Sequence, residues 1–256
     1  MSFVRVDIAY HGGEFAGWAA QPGLRTVEGE LEAALVQLLG ERVRLTVAGR
    51  TDAGVHAWGQ VAGIKLPGEP PEALARALNA LTGTDVTVLS ATRAPDGFDA
   101  RRDARSRTYC YRLLRSPVQI PFERGLSLFW PHRVDVELLE RCAQALVGTH
   151  DFTSFTPTQT HHVRFEREVA RAEWRRGTGV GPDPAAVAGG GAELLELWIE
   201  ADAFMQRMVR ALVGTMLEVA SYRRTIEDFA GLLQGAPREA AGDTAPAHGL
   251  YLASVR

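Results

Sequence analysis

Residues 43–57 read VRLTVAGRTDAGVHA, an alternating apolar segment followed at once by a loop rich in glycine and charge. The alternation over residues 43–48 is typical of a half-buried strand, and Gly49 and Gly54 bracket the polar side chains that follow. Loops mounted on rigid strands commonly carry reactive groups. The segment therefore predicts a strand that leads into a candidate site, Gly49–Ala57, with Asp52 near its centre.

The segments on either side of this stretch follow a definite order. Before it, residues 3–10 alternate like a strand, and Thr26 is a typical N-cap for a helix that ends at Gly40. After it, the pattern predicts a strand at 60–66, a helix at 70–81 and a strand at 85–92. The order strand, helix, strand, strand, helix, strand is the split βαβ order of ferredoxin-like and RNA-recognition domains.

The second half of the chain repeats this alternation. Strands are predicted at 107–114, 165–176, 193–200 and 250–255, and helices at 136–146, 204–222 and 226–233. We therefore expect an α+β protein of two ferredoxin-like (RRM-like) halves, 1–103 and 104–256, with antiparallel sheets joined into a central sheet backed by helices. The stretch 177–192 is rich in glycine and proline, and we expect it to be a mobile hairpin insertion that builds no core.

The composition excludes several classes of protein. With 256 residues and 46% hydrophobic residues, the chain is typical of globular proteins. It contains no apolar run long enough for a membrane span, and its beginning lacks the hydrophobic stretch of a signal peptide. Its two cysteines, Cys110 and Cys142, do not have the pattern of a disulfide scaffold or a zinc site. We expect a cytoplasmic protein with no membrane partner.

Positive charge is concentrated in one short stretch, although the net charge is −3. Six arginines and one acid, Asp103, lie between residues 101 and 115; the arginines are Arg101, Arg102, Arg105, Arg107, Arg112 and Arg115. Guanidinium groups bind phosphate through two parallel hydrogen bonds and stack on bases. A general codon bias toward arginine explains the composition equally well, so the charge permits an RNA partner and does not establish one.

The side chains of the Gly49–Ala57 loop allow more than one interpretation. We expect Arg50 to favour the ionised form of Asp52, as a nucleophile or a general base requires. The alternative is a turn in which Asp52 caps its own backbone, and the local pattern does not decide between them. A metal site of Asp52 and His56 would need more ligands, and the adjacent His161 and His162 would point to opposite faces of an extended chain. We therefore expect no metal.

Several ordered blocks carry a resemblance to a known family. Besides Gly49–Ala57, they are Tyr10–Gly13 with Phe15, Gly17 and Trp18; Phe98–Arg101 with Arg107–Tyr109; His150–Phe152; Phe204 with Met208–Arg210; and Ala245–Leu252. Together they resemble the TruA family of tRNA pseudouridine synthases over nearly the whole chain. Several blocks in the right order are far more specific than any one of them.

The resemblance implies an activity and a set of site residues. The family isomerises uridine to pseudouridine at positions thirty-eight to forty of the tRNA anticodon stem-loop, as homodimers, without a cofactor or metal. Asp52 matches the catalytic aspartate, Tyr109 the active-site tyrosine, Arg210 the arginine that pairs with the carboxylate, and Leu250 an apolar residue beside the target base. We also expect His56, Arg101 and Arg107 to contact the substrate.

The geometry of strands and helices can be compared with the roles that the resemblance implies. On a strand, Arg107, Tyr109 and Tyr111 share one face, and Tyr111 is more simply explained as core. On a helix, Arg210 lies roughly 150° from the centre of the apolar stripe, with Gly214 leaving space beside it, although a solvated surface arginine would lie there too. Leu250 fits ordinary strand core equally well.

The sequence is also compatible with two other functions. A non-catalytic RNA-binding module would use the same sheets. A glycoside hydrolase would need a second carboxylate about 5 to 9 Å from Asp52, and the sequence offers no obvious pair.

Overall fold

The chain divides into two units in the computed structural model, which describes residues 1–160, 163–179, 183–189 and 192–256. Unit 1 contains residues 1–107 and 251–256, and unit 2 contains residues 108–250. We expected the second half to be 104–256, whereas residues 251–256 belong to unit 1. The reason is a parallel strand pairing in which Tyr251 lies opposite His56.

Unit 1 is a mostly antiparallel sheet with two helices. Its elements are β1 (Ser2–Tyr10), α1 (Val27–Leu39), β2 (Leu45–Val47), β3 (His56–Leu66), α2 (Leu74–Asn79), β4 (Val86–Ala94) and the chain-terminal β10 (Leu250–Val255). The strands lie in the order β4-β1-β3-β10, and β2 pairs with β3. In β1, every second residue is buried, which confirms the predicted alternation.

Local signals account for α1. The Thr26 side chain accepts a hydrogen bond from the Gly29 N–H, and Gly40 ends the helix in the left-handed conformation with φ of 77°. Leu31 and Leu35 face the core. These are the cap, the C-terminal glycine and the helical spacing that the sequence predicts.

The strands around the Asp52 loop differ from expectation. β2 is shorter than the predicted 43–48, and β3 begins at His56 rather than at residue 60. The longer β3 depends on partners far along the chain, since Ala57 lies opposite Tyr10 in β1 and Leu252 in β10. Pairing on both sides therefore brings a strand directly to the end of the candidate loop.

Unit 2 has the same general construction. Its elements are β5 (Arg107–Arg115), β6 (Leu128–Trp130), α3 (Val136–Ala145), β7 (Gly148–Asp151), β8 (Glu166–Arg176), α4 (Pro184–Ala188), β9 (Glu193–Ala201), α5 (Met208–Ala220) and α6 (Ile226–Leu232). The strand order is β5-β9-β8-β7, with the short β6 parallel to β5. The helix α3 packs against β8, α5 and α6. Mixed strands and helices in both units confirm the α+β class.

Two predictions in unit 2 were wrong in detail. The helix α5 begins at Met208 rather than at Phe204, because Arg207 has a left-handed backbone with φ of 60° and interrupts the helical pattern. The stretch 177–192 was expected to build no core, yet it contains α4, and Ala188 packs against a buried cluster of Leu114, Ile120 and Leu194. In the described part of the chain, no helix is long and apolar enough to cross a membrane.

Candidate active site

Asp52 lies in a tight turn between β2 and β3. Its carbonyl accepts a hydrogen bond from the Val55 N–H at 3.2 Å, which closes a β-turn over Ala53 and Gly54. Gly54 has φ of 78°, a left-handed conformation that strongly favours glycine. The Asp52 side chain is partly exposed and that of Arg50 is exposed. A turn is therefore present, and its main chain holds the aspartate at an accessible position.

The N-terminal block packs directly against the backbone of this turn. The Trp18 N–H donates to the Thr51 carbonyl at 3.0 Å, and the Gly54 N–H donates to the Phe15 carbonyl at 3.3 Å. Gly17 has φ of 103°, and a Cβ there would lie 2.9 Å from the Thr51 carbonyl oxygen. Contacts between main-chain atoms of the two segments therefore fix the turn, and long side chains are not needed for this.

A buried polar network supports the other side of the loop. The Tyr10 and Thr51 hydroxyls are 2.8 Å apart, and the Gln60 amide donates to the Gly49 carbonyl at 2.7 Å. Burial raises the pKa of Tyr10 to about 12, against the opposing effect of its hydrogen bonds to Thr51 and Gln60. Tyr10 therefore stays a neutral phenol. The sequence pattern did not reveal Gln60, because its partners lie eleven and fifty residues away.

His56 is enclosed in unit 1. Its ring stacks on Tyr251 at 4.6 Å and meets the edge of His11 at 4.5 Å, and 1% of the residue is exposed. Its Nδ1 accepts a hydrogen bond from the Gly12 N–H at 3.1 Å. Stacking and burial therefore position the ring at the end of the loop, and the expected contact of His56 with the substrate stays a prediction.

The arginine-rich stretch separates into two groups. Arg101, Arg102 and Arg105 are exposed. Arg107 instead donates to the carbonyls of Ala48, Arg101 and Ala104. Arg107 therefore joins backbone segments beside the loop, and its expected contact with the substrate stays a prediction.

Arg112 is the clearest departure from an RNA-binding role. It is 3% exposed and contacts two carboxylates, Glu123 at 3.2 Å and Glu196 at 3.4 Å. Arg115 is also occupied, with Glu193 at 2.7 Å. The buried Arg112 guanidinium needs such partners, whereas Arg115 is only partly buried and is paired with one carboxylate.

The two tyrosines of β5 have different surroundings in unit 2. Tyr109 is 7% exposed, and its ring meets the edge of Phe204 at 5.0 Å. Tyr111 is fully buried and its hydroxyl donates to the Pro246 carbonyl at 2.9 Å. Burial raises the pKa of Tyr111. The interpretation of Tyr111 as core is confirmed.

Arg210 lies on a face of α5 that another segment covers. Its Nε donates to the Ala245 carbonyl at 2.7 Å, and its own carbonyl accepts from the Ala245 N–H at 3.0 Å. A Cβ on Gly214 would lie 1.7 Å from the Asp243 carbonyl oxygen. The space that we expected beside Gly214 is thus filled by backbone, and Arg210 is half-buried rather than solvated.

The segment after Ala245 contains a histidine, His248, for which the sequence pattern predicts no role. The pKa of His248 is lowered, chiefly by burial; a backbone hydrogen bond with Ser127 opposes this effect and the charge of Arg210 adds to it. Leu250 follows at the start of β10 and is 5% exposed, as strand core would be.

Among the predicted site residues, Asp52, Arg50, His56, Arg101 and Arg107 belong to unit 1, and Tyr109, Arg210 and Leu250 belong to unit 2. The described residues contain no group of three or more histidine, cysteine or acidic side chains that could hold a metal ion. The adjacent His161 and His162 lie outside the described residues. Both cysteines are buried and free.

In unit 1, the Asp52 loop thus presents a partly exposed carboxylate on a backbone that main-chain contacts hold in place. The family model described as tRNA pseudouridine synthase matches residues 8–102 and 142–256, which include Asp52 and Arg210. Tyr109 lies between the two matched ranges.

Curated relatives support the same family over the whole length. The tRNA pseudouridine synthase A of Frankia casuarinae is 43% identical over 256 residues, which are 99% of this chain and 88% of the relative. The proteins of that name from Bacillus pumilus and Mycobacterium leprae are 37% and 40% identical, over 98% of this chain and 98% and 88% of the relatives. The chain belongs to the tRNA pseudouridine synthase family, and it is an isomerase.

Proposed function

We propose that this chain converts uridine to pseudouridine at positions thirty-eight, thirty-nine and/or forty of the tRNA anticodon stem-loop, with Asp52 as the nucleophile. The observation that carries the proposal is the way the Asp52 turn is held. Main-chain contacts from Phe15 and Trp18 and the Gln60 amide fix its backbone, while the carboxylate stays partly exposed. Such preorganisation is what a nucleophile directed at one sugar carbon requires.

The reaction has no net oxidation or reduction. The bond between N1 of uracil and C1′ of the ribose breaks, the base turns, and a new bond forms between C5 and C1′. A proton leaves C5, and N1 gains one. An ionised carboxylate at position 52 meets the positive character of C1′ as the base departs, much as in retaining glycosidases.

The remaining site residues receive roles that their chemistry permits. Tyr109 stacks on the uracil once the nucleotide has been flipped out of the stem-loop, and its hydroxyl assists at C5. Arg210, with Arg50, supplies positive charge to the Asp52 carboxylate. Leu250 contributes an apolar contact to the base.

Substrate recognition depends on the exposed arginines. Arg101, Arg102 and Arg105 bind the RNA backbone, and each neutralised phosphate adds salt-dependent affinity. We propose a homodimer that works in the cytoplasm without a cofactor or metal. Sedimentation of the purified chain tests the dimer directly.

The test is tritium release from tRNA labelled at uridine C5. The wild type should release tritium, and Asp52→Asn, which keeps the shape of the side chain, should release none while binding the tRNA. A wild type that binds tRNA without releasing tritium would be an RNA-binding module and not this enzyme. Full release by Asp52→Asn would show that Asp52 is not the nucleophile, while the proposed activity would still hold.

A further inference from the structure

A cavity of about 850 Å³ lies in unit 2, between the end of β6, the start of α3 and the end of α5. Three aromatic rings and three charged side chains dominate its lining: Trp130, His132, Tyr222, Arg133, Asp135 and Arg223. None of these residues has a role in the proposed reaction. The volume is in the range of small-molecule sites.

The cavity is separate from Tyr109, the tyrosine of the candidate active site in unit 2. Trp130 lies opposite Arg115 in the parallel pairing of β6 with β5. Arg115 is six residues along β5 from Tyr109, which corresponds to ~20 Å in a strand. A ligand in the cavity would therefore not contact Tyr109.

The aromatic groups of the cavity are held in place. The rings of Trp130 and His132 meet edge to face at 5.5 Å. Tyr222 is 76% exposed and has a left-handed backbone with φ of 58°, which is rare for a residue with a large side chain. Its hydroxyl donates to the Asp135 carboxylate, a contact that lowers the pKa of Asp135. An exposed ring is thus fixed at the mouth of the cavity rather than packed in a core.

Charge and unmet hydrogen bonds complement the rings. Arg133 and Arg223 are exposed, and the single acid of the lining, Asp135, already accepts from Tyr222. In the part of the chain that the structure describes, the buried Trp130 indole N–H and the buried Ser221 hydroxyl have no hydrogen-bond partner. With two arginines and one acid, the lining of the cavity carries a net positive charge.

We propose that this cavity binds one unstacked nucleotide of the tRNA, remote from the nucleotide that reacts. The base stacks on Tyr222, and the flanking phosphates lie against Arg133 and Arg223. Proteins recognise single-stranded RNA through such aromatic platforms combined with guanidinium groups. The choice of tRNA as the source of the nucleotide rests on the proposed function. The cavity is thus a second RNA-binding site that positions the substrate.

The first test measures tRNA binding in an Asp52→Asn background, which removes turnover. Tyr222→Asn removes the ring and tolerates the left-handed backbone, whereas Tyr222→Phe keeps the ring. We expect Tyr222→Asn to weaken tRNA binding about 5- to 100-fold, the value of one stacked base, and Tyr222→Phe to remain near the parent. Equal affinities for all three proteins would overturn the proposal.

The second test concerns charge. The double variant Arg133→Ala with Arg223→Ala should reduce the slope of log affinity against log salt by roughly 1 to 2. The matched control is Arg42→Ala with Arg141→Ala, which removes two exposed arginines outside the cavity. A similar loss of slope in the control would overturn the proposal, because the effect would then be general.

Two outcomes separate this inference from the proposed function. Normal tritium release by the wild type, together with unchanged tRNA affinity in the cavity variants, would contradict the second site alone. Absence of tritium release by the wild type removes the proposed function. Titration with uridine monophosphate completes the test: saturable binding that Tyr222→Asn abolishes, with tRNA affinity unchanged, would show a site for a free nucleotide and overturn the RNA assignment.

Discussion

A Cβ on Gly12 would lie 2.0 Å from the carbonyl oxygen of Val55, so these two residues are in direct backbone contact. Gly12 also donates its N–H to His56 Nδ1. The turn that carries Asp52 ends at Val55, and it therefore rests on a position where only glycine fits.

Gly12→Ala should displace the end of the Asp52 turn. A displacement of about 1 Å at a reacting group costs on the order of 100-fold in rate, so we expect a fall of this size in kcat for tritium release. Gly68→Ala is the matched control, because a Cβ there would have no atom within 4 Å. Equal kcat values for the two variants would contradict the proposed role of this contact.

Tyr109 and Tyr111 should respond differently to loss of the hydroxyl. Tyr111→Phe leaves the Pro246 carbonyl without its donor, and we expect the free energy of unfolding to fall by about 1 kcal/mol or more. Tyr109→Phe should reduce kcat, because its hydroxyl is proposed to assist at C5. Denaturant unfolding and tritium release measure the two effects, and a stability loss in Tyr109→Phe with normal kcat would assign Tyr109 to the core.

These contrasts show which parts of the fold a single sequence can reveal. The strand β1 and the helix α1 follow from local patterns, namely alternation, a threonine cap and a terminal glycine. The early start of β3 and the short strand β6 depend on pairing with distant strands. No pattern within either segment carries that information.

The same division applies to the candidate site. The Asp52 loop was recognisable because its glycines and charges are adjacent in sequence. The functions of Arg107 and Arg112 were not, since their partners, Ala48 and Glu196, lie 59 and 84 residues away. The six arginines are close in sequence, yet three of them are exposed and the other three are buried or partly buried.

The difference between exposed and backbone-bonded arginines in residues 101–115 can be tested directly. Arg101→Gln removes an exposed charge, and we expect it to lower the salt slope of tRNA binding by about 1 without loss of stability. Arg107→Gln removes donors to three backbone carbonyls, and we expect the free energy of unfolding to fall by about 1 to 3 kcal/mol. A lower salt slope in Arg107→Gln together with a loss of stability in Arg101→Gln would mean that Arg107, rather than Arg101, contacts the RNA.

His248 predicts a pH dependence of stability. Its pKa in the folded chain is below the ordinary value of 6.5, so the unfolded chain binds the proton more readily. Above about pH 7.5 the imidazole is neutral in both states and contributes nothing. As the pH falls through 6.5, protonation favours the unfolded chain, and stability is progressively lost down to the folded pKa.

His248→Gln removes this titration and keeps a polar side chain. The difference in the free energy of unfolding between wild type and variant should be constant above about pH 7.5 and should move against the wild type as the pH falls from 7 toward 5. Denaturant unfolding at a series of pH values measures the difference. Parallel curves would mean that the imidazole is not buried as described. A shift in favour of the wild type at low pH would mean that a hydrogen-bond acceptor or a carboxylate, rather than burial, dominates the pKa of His248.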